Sequence, residues 1–232
     1  AAIKSIPMGA RWPTHRAPPQ ARRAGRWRRG GKIHPRDMTH SRSPFVQRLA
    51  PEAAPAHAGV LPAAAPLPRL VGLAPVVGPD TVVLVLGSFP GVASLRAQQY
   101  YAHPQNQFWR LLQSLWPQHT LPAREDYGAR CDWLLARGLG LWDVYRACER
   151  SGSLDAQIRH AEVNDFSGLR LRCPRLAAIA HNGAESFRHA HSTAALGVPV
   201  VKLPSTSPAN ASWSFERKRA AWAQALAADG LL

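Results

Sequence analysis

The 232-residue chain has only three cysteines, Cys131, Cys148 and Cys173, and no C-x-x-C pair. This excludes a disulfide framework, a zinc ribbon and a four-thiolate iron–sulfur cluster, and free buried thiols in a reducing compartment are expected. Acids are scarce, 14 Asp/Glu against 29 Lys/Arg. No run of 18 apolar residues is uninterrupted. The nearest, Leu70 to Leu86, is cut by Pro75, Pro79 and Asp80, so no membrane span is expected. Neither G-K-[ST] nor G-x-G-x-x-G occurs, which disfavours the familiar modes of nucleotide-phosphate binding. Against these absences stands a hydrophobic content of 46%, enough for one well-buried α/β domain with chain to spare.

The charge is uneven. Residues 1–79 carry 13 Lys/Arg against Asp37 and Glu52, a balance of +11, and 13 of the 21 prolines. The remaining residues balance at +4, so the basicity belongs mainly to the leader. Residues 1–69 have no apolar periodicity and too much proline for long helices, and read as a disordered basic Pro/Arg/Ala-rich segment. Three accounts of it stay open: an Arg-rich organellar transit peptide, a basic arm for nucleic-acid phosphates, or translated sequence upstream of a start at Met38.

From Thr81 the character changes. Thr81–Leu86 (TVVLVL) reads as a strand buried on both faces. Further strands are expected over Leu139–Trp142, Arg175–Ala180 and Val198–Leu203. Helices are expected over Phe108–Trp116, Asp126–Ala136, 184–195 and Trp213–Ala228. Ser153 is expected to cap a helix over Leu154–Ala161, and Asp165 one over Phe166–Arg172. Alternating strands and helices imply a parallel sheet covered on both faces, with ligands bound beyond the C-terminal strand ends. That rule singles out loops 87–106, 181–183 and 204–212.

The first loop opens on Gly87 and Gly91 around Pro90, a sharp turn that lets backbone lie close to a ligand. Tyr100, Tyr101, His103, Asn106 and Trp109 follow; Phe108 and Trp109 are expected to anchor a helix in the core, while Tyr101 suits either core or site. The second loop, His181-Asn182-Gly183, ends a buried strand in polar groups, with Asn182 a candidate helix cap. The third, Leu203 to Asn210, sets small hydroxyl residues between two prolines, as in a stiff loop against a phosphate backbone or a plain turn.

Taken in order, GSFPG, YAHPQNQFW, the strand ending in HNG, and LPSTSPAN resemble the uracil-DNA glycosylase superfamily, and within it the hypoxanthine-DNA glycosylase (DNA-deoxyinosine glycosylase) branch. GLGLWDV at 138–144 and SLDAQIRHAEVNDF at 153–166 also look like that branch, so the resemblance spans about Val82 to Leu226. It implies a three-layer αβα sandwich with a short central parallel sheet, and a catalytic domain over 70–232. Mismatch-specific uracil glycosylases have G-I-N-P-G in the first motif, whose Asn positions water. Here Phe89 stands at that place and can neither orient nor polarise water. The Asp and His of the classical uracil enzymes are also missing from Ser88 to Gly91 and from Ser205 to Pro208.

The resemblance therefore implies an asparagine-based site, with Asn106 and Asn182 catalytic. Ser88, Phe89, Tyr101, His103 and His181 would bind the base, with Tyr101 stacking on it. Lys202, Ser205, Thr206, Ser207 and Asn210 would contact DNA. One carboxamide answers both the O6 acceptor and the N1–H donor of hypoxanthine. An Asn is no strong base near pH 7, so the barrier must fall by positioning and electrostatic preorganisation, and turnover is expected to be modest. Lys202 is the sole lysine in or beside the three loops, which argues against a Schiff-base lyase step.

The expected activity is monofunctional excision of hypoxanthine, flipped out of double-stranded DNA containing deaminated bases, in base excision repair. No metal or cofactor is expected. A monomer in a bacterial cytoplasm is expected, with the organellar alternative carried by the leader. Two other readings remain: a uracil- or mismatch-specific glycosylase on the same fold, and a non-catalytic nucleic-acid-binding module.

Overall fold

The computed structural model describes residues 67–232. The expectations placed on residues 1–66, including disorder, a transit peptide and a start at Met38, lie outside the described residues. Seven strands and seven helices follow in chain order: β1 Arg69–Val71, β2 Val83–Gly87, α1 Val92–Ala97, α2 Phe108–Leu115, α3 Tyr127–Leu135, β3 Leu139–Asp143 and β4 Tyr145–Glu149. Then come a single 3-10 turn Asp155–Gln157, β5 Arg159–Val163, α4 Leu169–Arg172, β6 Ala178–Asn182, α5 Ala184–Phe187, α6 Ala190–Ala194, β7 Val200–Leu203 and α7 Phe215–Ala228.

The centre is a four-stranded parallel sheet in the order β3-β2-β6-β7. Side chains alternate across a strand, so β2 feeds two cores at once. Val83 and Val85 face a cluster with Phe108, Leu111 and Leu112 of α2, Leu134 of α3, and Trp222 and Leu226 of α7. Leu84 and Leu86 face the other, with Leu169, Cys173, Leu176 and Ile179. A strand buried on both sides must be apolar throughout, which is why VLVL is continuous. The expected α/β architecture is present, a parallel sheet flanked by helices, and Phe108 and Trp109 are core residues as expected.

The second face carries more than helices. β1, β4 and β5 form an antiparallel sheet in the order β1-β4-β5, from which Tyr145 and Cys148 of β4 enter the second core. This corrects the helix expected over Leu154–Ala161: that stretch is the 3-10 turn followed by the edge strand β5, whose RHAEV side chains are mostly exposed and give no apolar signal. Ser153 caps nothing there; its hydroxyl accepts from the Val92 N–H at 2.9 Å and pins the start of α1. The helix expected from Phe166 begins only at Leu169. Asp165 instead closes a local turn through the Ser167 N–H and hydroxyl. The expected helix 184–195 is two short helices. Among the described residues no helix is long and apolar enough to cross a membrane.

The parallel register brings the C-terminal strand ends level. Gly87 pairs with Asp143, and Asn182 with Leu203. All three singled-out loops therefore leave from one edge, together with the end of β3, which sequence reasoning had not counted.

Candidate active site

At that edge lies a cavity of about 960 Å³, bordered by the first and third loops, the ends of β3 and β6, and the segment around Asp155. The first loop is fixed from below: the Gly87 and Ser88 carbonyls accept from the N–H groups of Val144 and Tyr145 at 2.9 and 3.0 Å. The Ser88 hydroxyl donates to Asp155 Oδ1 at 2.7 Å. Phe89 is buried against the cavity with the Arg150 guanidinium 5.0 Å above its ring, and Arg150 also donates to the Pro90 carbonyl.

Tyr101 sits in the left-handed backbone region, φ 55°, where side chains other than glycine are uncommon. Packing holds it there: its ring stacks on Phe108 at 4.0 Å between centroids, and its hydroxyl accepts from Asn182 Nδ2 at 3.0 Å. Burial pushes its own ionisation far above the usual range, so it stays a neutral phenol.

Asn182, 8% exposed and bordering the cavity, does not cap the helix that follows it; it is a clamp. Gly183 takes the cap position of α5, at φ 114°, where a Cβ would meet Ser205. The Asn182 carboxamide instead donates to Tyr101 and to Thr206 Oγ1, and accepts from the Thr206 N–H, each at 3.0 Å. Both of its N–H donors are used within the protein, and they tie the first loop to the third.

Asn106 borders the cavity from above. Its Oδ1 accepts from the Phe108 N–H at 3.0 Å and so starts α2, leaving Nδ2 with no partner among the described residues. Its free end is therefore a donor. His103 lies beside it, exposed, with Nδ1 accepting from the Gln105 N–H at 3.2 Å. The third loop is braced from behind by α7. The buried Lys218 ammonium donates to Gln107 Oε1 and the Asn210 carbonyl, both at 2.9 Å, and Trp222 donates to the Pro204 carbonyl.

One expected site residue is placed elsewhere. His181 is fully buried with both ring nitrogens bonded, to Ser186 Oγ at 2.7 Å and Thr193 Oγ1 at 2.9 Å. Burial pushes its pKa down to about 4, and it does not border the cavity, so it is a neutral core residue and not a reader of the base. Thr206 borders the cavity but is itself fully buried, with its hydroxyl and its N–H both bonded to Asn182. Lys202, Ser205, Ser207 and Asn210 stay at the rim, although Asn210 spends its amide on the Ser205 carbonyl.

Two features went unread in the sequence. Asp143, at the end of β3, is a buried carboxyl on the cavity floor; desolvation first and the Asp155 charge second raise its pKa to about 8, with Arg150 acting the other way. Arg110, Arg124 and Arg130 surround a second depression of about 310 Å³ that shares His103 and Asn106 with the main cavity. None of the three is ion-paired among the described residues. No group of three or more His, Cys, Asp or Glu among the described residues could hold a metal ion.

A parallel sheet whose strand ends floor an aromatic-walled cavity, with three arginines around the adjoining depression, suits a planar group held beside an anionic chain. Comparison with known proteins makes the class specific. The chain matches the uracil DNA glycosylase superfamily over residues 74–227, and it belongs to that family. It is 38% identical over 154 residues to a curated hypoxanthine DNA glycosylase of Methanosarcina barkeri, covering 66% of this chain and 96% of that one. It is 37% identical over 147 residues to the hypoxanthine DNA glycosylase of Methanosarcina acetivorans, covering 63% and 92%. A solution NMR structure of a candidate uracil DNA glycosylase from Methanosarcina acetivorans superposes with a TM-score of 0.61 at 34% identity, covering 70% of this chain and 99% of that one.

Proposed function

We propose that this protein is a monofunctional DNA glycosylase that excises hypoxanthine from deoxyinosine in duplex DNA. The observation that carries the reading is the cavity itself: the first loop, His103 and Asn106 of H-P-Q-N, and Asn182 and Gly183 of H-N-G border one pocket, in a chain 37–38% identical to two hypoxanthine DNA glycosylases.

The target nucleotide leaves the duplex at a cost of a few kcal/mol, least for a mispaired inosine. Its base slides against Tyr101, whose ring is held by Phe108 and Asn182; stacking of this kind is worth about 1–3 kcal/mol. Water adds its oxygen to C1′ as the C1′–N9 bond breaks. The bonding pair leaves with the base, and the proton released by water ends on it. Asn106 offers its free Nδ2–H to the charge growing on the departing base, and a donor fixed beforehand costs no reorganisation at that moment. Asn182 acts through Tyr101 and the third loop as a positioning residue. Arg110, Arg124 and Arg130 receive the neighbouring phosphates, which set register without reading sequence.

The test is Asn106→Ala, assayed for base release from a deoxyinosine duplex with circular dichroism in parallel. Loss of about 100-fold or more, as removal of a preorganised donor typically causes, with the fold intact is expected. A wild-type rate would remove Asn106 from the chemistry.

A further inference from the structure

The reaction proposed above has a donor for the departing base in Asn106. It has no group that answers the sugar, where positive charge grows, or the water that attacks it. Three carboxyl groups border the cavity: Asp143, Asp155 and Glu185. Two of them are committed. Asp143 is 4% exposed with its Oδ2 sealed, and burial keeps its proton on up to about 8. Glu185 accepts from the Tyr145 hydroxyl at 2.7 Å and pairs with Arg188 at 3.3 Å. Asp155 is different. Its Oδ1 accepts from the Ser88 hydroxyl at 2.7 Å, while its Oδ2 has no hydrogen-bond partner and its carboxylate joins no ion pair among the described residues.

The segment that carries it, GSLDAQ at 152–157, is tied to the first loop at two points. Besides the Ser88–Asp155 bond, the Ser153 hydroxyl accepts from the Val92 N–H at 2.9 Å. Gly91 permits the approach, since a Cβ there would meet Ser153 Oγ at 3.3 Å. The turn closes on itself through the Gln157 and Ile158 N–H groups, which donate to the Leu154 and Asp155 carbonyls at 3.0 Å each. None of its three residues is buried, so Asp155 stands at the rim. A flipped nucleotide puts its base inside, against Tyr101, and its sugar, still joined to the DNA backbone, towards that rim. Partial burial raises the Asp155 carboxyl above the ordinary value, with Glu185 adding to it and the Ser88 hydroxyl and Arg150 opposing it.

We propose that Asp155 is a catalytic carboxylate of this cavity, which offsets the positive charge on the flipped nucleotide's sugar and accepts from the attacking water. This rests on the glycosylase reading above and adds to it a residue that touches the reacting atoms. The C1′–N9 bond breaks with its electron pair leaving on the base, and the water oxygen forms the new C1′–O bond. The proton that the water sheds passes to the Asp155 carboxylate, which hands it on through solvent to the base. The sugar is neutral before the bond stretches and cationic as it breaks, so the carboxylate contributes far more in the transition state than in the bound substrate. The Ser88 hydroxyl holds Oδ1 in place beforehand and leaves Oδ2 for the reaction, so little reorganisation is needed at that moment.

The test compares the full chain as wild type, Asp155→Asn and Ser88→Ala, with circular dichroism to confirm the fold. Single-turnover base release is measured on a deoxyinosine duplex. Binding is measured on two uncleavable duplexes, one with a neutral tetrahydrofuran abasic analogue and one with a pyrrolidine analogue whose protonated ring nitrogen puts a cation at the sugar. Wild type should bind the cationic duplex about tenfold or more tighter than the neutral one. Asp155→Asn keeps the shape and the acceptor for Ser88 but not the charge. It should lose most of that preference, bind the neutral duplex as wild type does, and release the base about 100-fold or more slowly. Ser88→Ala frees the carboxylate without removing its charge, and should keep the preference and slow release less than Asp155→Asn. Release by Asp155→Asn within about threefold of wild type overturns the proposal. So does an unchanged preference for the cation, or an equal loss on both abasic duplexes, which marks a structural role. Ser88→Ala matching Asp155→Asn in both readouts overturns it as well, because the tether and not the charge would then matter. These results leave the glycosylase reading standing; a folded wild type that releases no hypoxanthine overturns both.

Discussion

Asp143→Asn should make the protein more stable, and only away from acid. In an exposed chain an Asp ionises near 3.8, whereas in the fold Asp143 is held to about 8, chiefly by burial. Between these values the unfolded chain has released the proton and the folded one still binds it, so stability falls as pH rises. It is fully retained below the unfolded value and lost up to the folded one. Four pH units at about 1.4 kcal/mol each bound the effect at about 6 kcal/mol at pH 8 and about 4 at pH 7. Against a typical total stability of about 5–15 kcal/mol that is a large share, so the bound is generous and a gain of at least about 2 kcal/mol at pH 8 is the working expectation. Urea unfolding followed by tryptophan fluorescence at pH 4, 6 and 8 reads it, as a midpoint shift at constant slope. His181, pushed down to about 4, titrates in the opposite sense as pH falls below 6.5, but equally in both chains, so it cancels in the difference. Equal wild-type and variant midpoints at pH 8, or the same difference at pH 4 and pH 8, would refute the buried neutral carboxyl.

Asn182→Ala removes three hydrogen bonds and leaves the Thr206 N–H unpaired in a buried site; a stability loss of about 2–3 kcal/mol in urea is expected, with base release falling further than DNA binding because Tyr101 is freed. Gly87→Ala drives a methyl into the Asp143 carboxyl and should reduce base release by at least about tenfold with little change in non-specific DNA affinity, since the damage is confined to the cavity floor. Arg124→Ala should weaken binding alike for damaged and undamaged duplexes and lower the salt slope of the binding constant by about 0.9; a loss confined to damaged DNA would contradict the phosphate role.

What the sequence revealed follows from which patterns packing imposes. TVVLVL was legible because a central parallel strand is buried on both faces, and the loops at its end followed from the rule on strand ends. β5 was not, because an edge strand such as RHAEV shows solvent mostly polar side chains and its exposed backbone leaves no periodic mark. The end of β6 was placed two residues early, at Ala180 instead of Asn182, since polar residues in a buried strand resemble a loop. His181 was read as a site residue for the same reason, yet strand alternation turns it away from Asn182 and into a pair of buried hydroxyls. Asp143 was within reach: the strand-end rule applies to β3 as much as to β2, and a lone acid closing GLGLWD is the residue it points to. The arginine cluster had no such signal, because Arg110, Arg124 and Arg130 meet only through the packing of α2 and α3 around Trp109.

The most direct test of the account is strand cleavage of end-labelled duplexes, each carrying one deoxyinosine, deoxyuridine or unmodified deoxyadenosine, incubated with the full chain and then treated with alkali. The account predicts an alkali-dependent break at deoxyinosine, none at deoxyadenosine, and no break without alkali, as a hydrolytic excision without a lyase step requires. Cleavage confined to deoxyuridine, or silence at all three by the folded protein, would contradict it.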